Sequence, residues 1–155
     1  MRPKHFTLVG VLPKAPATLA LHYADGEHYE VDVADVIQRT PSLKRLKQLS
    51  VFNGAKVGEH GASVAWGDDD DLELAADNLR ARAIEQAGGV SHEFVWNWMA
   101  RHELSLDAAA QALGLSRRML AYYRSGAKPV PRTVALACLG WEDLKKAGGR
   151  FKLAA

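Results

Sequence analysis

Cysteine is nearly absent from the sequence: the single residue, Cys138, cannot form an internal disulfide bond, which fits a reducing compartment. No apolar run approaches the ~18 residues that a membrane-spanning helix needs. The chain also lacks a His-Glu-x-x-His arrangement, a Cys-x-x-Cys pair, a Walker loop and a dinucleotide glycine fingerprint. We therefore expect a cytoplasmic protein with no membrane association, no metal, no cofactor and no enzymatic activity.

The bulk composition is that of an ordinary globular protein. Hydrophobic residues make up 48% and charged residues 25% of the 155 positions. This balance excludes a disordered or fibrous chain. The length is enough for one domain or two small ones.

The charge is distributed unevenly between the two halves. Residues 1–87 hold 10 basic and 13 acidic side chains, whereas residues 88–155 hold 10 basic and 5 acidic ones. Between Ala108 and Trp141 there is no acidic residue at all. A basic half attached to an acidic one points to a polyanionic partner for the basic half.

The first half has the short alternating patterns of β-strands. Predicted strands are residues 6–12, 18–23, 28–33, 51–57 and 62–66. Pro13 should end the first of them, and Asp25-Gly26 should form a hairpin turn. His22 and His28 flank this turn and are expected to be surface residues that face each other across it.

Helical patterns in this half are fewer. They predict a short helix over 35–39 and a longer one over about 74–86. The four aspartates Asp68–Asp71 lack the glycine and closing glutamate of a calcium loop, so we expect a solvated loop at the positive end of the longer helix. Gly88-Gly89 should end that helix and separate two domains, 1–87 and 88–155.

The second half is helical throughout. Predicted helices are 92–102, 106–113, 117–125, 131–139 and a last short one containing Trp141 and Leu144. Ser91, Ser105 and Ser116 precede the first three as caps. Cys138 falls on an apolar helix face, where a small core residue is expected. The fold class is thus α+β: a small sheet-plus-helix domain followed by an all-α bundle of four to five helices.

The segment from Ser105 to Gly126 resembles the lambda-repressor-like, Cro-type helix-turn-helix family. Ala110 is small where two helices cross, Gly114 supplies the turn, and Leu120 is the buried residue of the second helix. The similarity extends over about residues 91–144. It implies a bundle whose helix after Ser116 enters the major groove of DNA.

A helical wheel of this helix agrees with that implication. The wheel turns Ser116, Leu120 and Tyr123 inward. It turns Arg118, Ala121, Tyr122 and Ser125 outward, with Arg117 and Arg124 on a flank. Arg118 and then Arg117 are the best candidates for reading guanine, and Tyr122 could contact a thymine methyl group or a phosphate. The predicted DNA-binding residues are Ser116, Arg117, Arg118, Ala121, Tyr122, Arg124, Lys128 and Arg132.

Two positions depart from the helix-turn-helix family. Leu106 stands where the family commonly has a phosphate-binding glutamine, and Arg124 replaces the usual glutamate, which removes that residue's tie to the first helix of the bundle. These departures leave open a helical domain that has lost DNA binding.

The first half also resembles a small uncharacterised bacterial domain family found alone or fused to helix-turn-helix domains. The resemblance is carried by Asp25-Gly26, Val31-Asp32-Val33, Phe52, Ala65-Trp66 and Asn78-Leu79. Some of its members are suspected antitoxins. It implies a domain that dimerises or that binds a ligand or a protein partner.

Together these patterns predict a homodimeric transcription regulator that binds specific double-stranded DNA. Dimerisation is expected because one recognition helix reads few bases, and paired half-sites overcome this limit. The alternative is an antitoxin-like or adaptor protein, whose first domain binds a protein partner and whose DNA binding is secondary or lost.

Overall fold

The computed structural model describes residues 1–148 and has the α+β class predicted from the sequence. It divides into two compact units, Met1–Gly88 and a second that begins at Gly89. Residues 149–155 of the predicted second domain lie outside the described residues. Among the described residues, no helix is long and apolar enough to span a membrane.

Three antiparallel strands open the first unit: β1 (Leu8–Lys14), β2 (Thr18–Tyr23) and β3 (His28–Asp32), in the order β1-β2-β3. The turn after β2 contains Gly26 at φ 91°, a conformation that glycine accepts without strain. The prediction that Pro13 ends the first strand was wrong, because Pro13 lies within β1 opposite Leu19. β1 is an edge strand of its sheet, where proline removes no hydrogen bond from the ladder.

A second antiparallel sheet consists of β4 (Ala55–Val57), β5 (Ser63–Trp66) and β6 (Glu73–Ala75). The α-helices of this unit are α1 (Ala34–Arg39), α2 (Leu49–Phe52) and α3 (Ala76–Gln86), and its 3-10 helices are Lys4–Phe6, Pro41–Lys47 and Glu59–Gly61. The predicted strand over 51–57 was wrong in its first half. Its first two residues close α2, which buries Phe52 completely.

The loop Asp68–Asp71 does not lie at the positive end of α3, contrary to the prediction. The strand β6 separates the loop from α3, and the acidic residue in the first turn of α3 is Asp77. The helix therefore begins at Ala76 and not near Leu74. Asp69 instead stabilises its own loop, since its carboxylate accepts the Asp71 backbone N–H at 2.9 Å.

The core of the first unit lies between the sheets and α3. Leu19, Leu21 and Tyr23 line the inner face of β2 and are fully buried. The Tyr23 hydroxyl donates to the Ala76 carbonyl at 2.7 Å, which satisfies the polar atom of this aromatic side chain. On the outer face, the His22 and His28 rings stack with their centroids 4.0 Å apart, so the two side chains face each other across the hairpin as predicted.

Four helices form the described part of the second unit: α4 (His92–Arg101), α5 (Leu106–Leu113), α6 (Arg117–Ser125) and α7 (Arg132–Lys146). The two predicted C-terminal helices are one, because Gly140 does not interrupt α7. A single glycine costs a helix only about 1 kcal/mol, and half-buried Trp141 packs this stretch against the core. Cys138 is fully buried in that core, and burial raises the pKa of its thiol to about 12.

Candidate nucleic-acid interface

The turn between α5 and α6 is determined by local hydrogen bonds. Gly114 ends α5 in the left-handed conformation at φ 71°, and the Leu115 N–H donates to the Ala110 carbonyl at 2.9 Å. The Ser116 hydroxyl then accepts the Met119 N–H at 3.1 Å and caps α6. The direction in which α6 leaves the turn is therefore set by residues 114–116.

Leu120 anchors α6 to the second unit. It is the buried residue of this helix and is 0% exposed. Ala110, buried on α5, belongs to the same core, in accordance with its predicted place at a helix crossing. The wheel was right for Leu120 and Arg118 but wrong for Ser116, which is exposed because a cap residue stands outside the regular helix.

Arg117 and Arg118 lie side by side at the exposed start of α6 but have different partners. Arg117 Nε lies 3.2 Å from the Asp107 carboxylate, and both side chains are more than two-thirds exposed. An ion pair this exposed contributes little and is easily exchanged for another anion. Arg117 is thus partly neutralised by α5, whereas Arg118 is not among the ion pairs of the described residues.

Arg124 has a partner that the sequence did not reveal. Its guanidinium carbon lies 4.8 Å from the centre of the Trp96 ring, within the range of a cation–π contact. Trp96 belongs to α4, so Arg124 contacts the first helix of the bundle even though the family's usual glutamate tie is absent. The contact replaces an ionic tie by an aromatic one and leaves the positive charge in place.

Tyr122 is the centre of the exposed basic cluster. Its hydroxyl accepts a hydrogen bond from Arg118 Nε at 2.9 Å, and Lys128 Nζ lies 4.6 Å from its ring centre. The Tyr122 carbonyl accepts the Lys128 backbone N–H at 3.3 Å, which folds the loop after α6 back toward the helix. We call Arg118, Tyr122 and Lys128 the tyrosine cluster.

Three other predicted residues lie at known places on α6 and α7. Ser116 caps α6, Ala121 is half-buried on it, and Arg132 is the exposed first residue of α7. Asp107 and Trp96 were not predicted. The sequence signal for Trp96 was its place outside the apolar stripe of α4, and the structure leaves it 49% exposed.

Glu142 is the first acidic residue in the chain after the segment Ala108–Trp141, and its carboxylate is bound by two basic side chains of the same unit. Hydrogen bonds from Arg101 at 2.5 Å and from His102 at 2.8 Å lower the pKa of its carboxyl group. The described residues contain no group of three or more histidine, cysteine, aspartate or glutamate side chains placed to hold a metal ion. The exposed charge of α6 therefore suits an anionic ligand.

Comparison with known proteins gives one informative similarity. The chain is 42% identical to a Nitrosomonas europaea protein of known crystal structure, which is provisionally described as a DNA-binding protein. The match covers 100% of both chains with a TM-score of 0.86. Neither a scan against protein-family models nor a search of curated proteins gave a match.

Proposed function

The chain belongs to the same family as the Nitrosomonas europaea protein, and on this basis we propose that it binds double-stranded DNA through the exposed face of α6. The observation that supports this most strongly is the tyrosine cluster. It brings a cation of the capped helix α6 and a cation of the loop after it to the same tyrosine, in a segment that has no acidic side chain from Ala108 to Trp141. A concentrated positive surface of this kind attracts phosphate.

The proposed docking follows that of lambda-repressor-like proteins, with α6 in the major groove. Its first turn carries Arg117 and Arg118 toward the base edges, where an arginine can donate two hydrogen bonds to guanine. Ala121 and Tyr122 present apolar atoms that fit a thymine methyl group. By analogy with that family, we assign Ser116, Lys128 and Arg132 to phosphate contacts. Such binding would make the protein a transcription regulator.

A salt titration of binding to a mixed-sequence duplex tests the proposal. For the double variant Arg117→Ala/Arg118→Ala, we expect the slope of log affinity against log salt to shrink by about two. Affinity at low salt should fall on the order of tenfold or more, because charge-assisted hydrogen bonds are lost. Fluorescence anisotropy with a labelled duplex measures both quantities.

The matched control is Lys44→Ala/Lys47→Ala. It also removes two exposed positive charges, but from the first unit. Its salt slope should equal that of the wild type. If the two double variants lose affinity equally, net charge alone drives binding and α6 is not the contact. If the wild type has no affinity at low salt, the proposal fails, and a protein partner for the first unit becomes the better explanation.

We further propose that the protein binds DNA as a homodimer. Two recognition helices about 34 Å apart can contact successive major grooves on one side of the duplex. Light scattering after size exclusion should give twice the mass of one chain. A selected DNA site should contain two inverted half-sites about ten base pairs apart. A single asymmetric site bound by one chain would contradict the dimer.

A further inference from the structure

We propose that Tyr122 is a positioning residue that orients Arg118 to read guanine end-on, with Nη1 and Nη2 as the two donors. The proposal rests on the proposed function and assigns one base preference to it. It also changes the role expected for Tyr122, from a group that contacts DNA itself to one that acts through its neighbour.

The hydrogen bond between the two side chains determines which edge of the guanidinium is free. Arg118 Nε donates to the Tyr122 hydroxyl at 2.9 Å. A guanidinium can present two donor pairs to guanine O6 and N7: Nε with one terminal nitrogen, or the two terminal nitrogens together. Since Nε is already engaged, only the terminal pair is available.

A free arginine at this position would be a poor reader. Its long side chain loses rotamer entropy when it is fixed against a base. The Tyr122 hydroxyl removes part of that freedom before DNA binds, and the guanidinium carbon also lies 5.5 Å from the Tyr122 ring centre. Binding to a preorganised group costs less than binding to a mobile one.

Lys128, which follows Tyr122 in the chain, also contacts the tyrosine. Its ammonium group lies 4.6 Å from the ring centre, and its backbone N–H donates to the Tyr122 carbonyl. The ring is therefore held both by its own helix and by the loop after it. The Lys128 ammonium group remains charged beside the Tyr122 ring, where it can bind a phosphate.

Arg117 and Arg124 are less suited to the same task. The exposed pair of Arg117 with Asp107 is easily exchanged and so orients the Arg117 side chain only weakly, and the Arg124 guanidinium lies against the Trp96 ring. Arg118 alone of the three has a partner that engages only Nε and carries no charge. The arrangement therefore assigns the main guanine contact to Arg118.

The test starts from a pool of duplexes with a randomised core, from which the wild type selects its preferred sequence. Each G·C pair of the selected duplex is then replaced in turn by A·T, and the affinity of each duplex is measured for four proteins. These are the wild type, Arg118→Lys, Tyr122→Phe and Tyr123→Phe. The last is the matched control, since it removes a hydroxyl from the neighbouring tyrosine, which packs against the core.

We expect the wild type to prefer G·C at one position of the half-site by about tenfold or more. Arg118→Lys should abolish this preference while the salt slope on mixed-sequence DNA stays the same, because the charge remains. Tyr122→Phe should reduce the preference severalfold at that position only. Tyr123→Phe should keep it, and the thermal unfolding midpoint of Tyr122→Phe should match that of the wild type.

Two results would overturn the inference and leave the proposed function intact. In one, Tyr122→Phe discriminates as well as the wild type. In the other, it weakens binding to every duplex equally, which is the effect of a general structural loss. A wild type that selects no duplex and shows no salt-dependent affinity would overturn the inference and the proposed function together.

Discussion

Replacing Leu120 by alanine is expected to lower the free energy of unfolding of the second unit by about 2–5 kcal/mol. Leu120 is completely buried and shares its core with Trp98 of α4 and Cys138 of α7. The substitution removes buried apolar surface and leaves a cavity among close-packed neighbours. Since Leu120 also anchors α6, DNA affinity should fall with the folded fraction.

The matched control is Leu139→Ala, the same change at a position that is 48% exposed on α7. Its effect should stay below about 1 kcal/mol, as is usual for surface substitutions. Urea unfolding measures the free energy of unfolding of both variants, and hydrogen exchange of the folded proteins measures the protection of individual amides. Loss of protection confined to residues 88–148 would support the predicted domain boundary at 87/88. Equal loss of protection in the first unit would contradict it.

Replacing Arg80 by methionine is expected to destabilise the first unit by about 3 kcal/mol, the usual cost of removing one partner of a buried ion pair. The side chains of Arg80 and Asp25 are 11% and 24% exposed, and Arg80 Nη2 lies 2.9 Å from the Asp25 carboxylate. Arg80 also donates to the His5 carbonyl at 2.9 Å and lies about 5 Å from the Tyr23 and Tyr29 rings. Methionine keeps much of the apolar stem but removes the Arg80 donor from the His5 carbonyl and leaves the Asp25 carboxylate with the Glu27 backbone N–H alone of its two donors.

This loss should depend on pH. Burial by itself raises the pKa of Asp25, but the Arg80 hydrogen bond, the Glu27 backbone N–H and the Arg80 charge together hold it below the ordinary value. A carboxyl group with a lowered folded pKa stabilises the protein above its unfolded pKa of about 3.9, and this contribution is lost as the pH falls through the folded value. The difference between wild type and Arg80→Met should therefore be largest near neutral pH and shrink below about pH 4.

Arg82→Met is the control for Arg80. Arg82 also pairs with an aspartate, Asp35 at 3.1 Å, but that carboxylate is 58% exposed. We expect a loss below about 1 kcal/mol for this surface pair. If both arginine variants lose the same free energy of unfolding, the prediction that the buried pair stabilises the unit more than the exposed pair is contradicted.

Helix ends in the second unit were predictable because their signals are local. The bounds of α5 and α6 agree with the prediction at both ends, since Ser105 and Ser116 cap the starts and Gly114 and Gly126 follow the ends. A cap needs only residues within one turn of the helix terminus, so sequence suffices to locate it. The continuous α7 shows the limit, because the predicted break after Leu139 does not occur and Trp141 packs that stretch against the core.

Strand limits in the first unit were less predictable because sheet pairing is not local. The β2 bounds agree with the prediction, but the apolar run 51–57 divides between α2 and β4. A short apolar run suits a buried helix turn as well as a strand, and the partner strand decides between them. Within this run only Ala55–Val57 pair with β5, so the earlier residues are free to form a helical turn.

The sequence by itself determined that the second half is a basic helical bundle with its arginines concentrated on α6, because charge counts, caps and helical periodicity depend only on residue order. Tertiary structure decided which group each arginine of α6 contacts. It placed Asp107 beside Arg117 and Trp96 beside Arg124, through contacts between helices that no local pattern records. It left Arg118 paired with an uncharged tyrosine oxygen. An interaction between side chains depends on where the packing of Leu120 and its neighbours sets each helix, and that position is a property of the whole core.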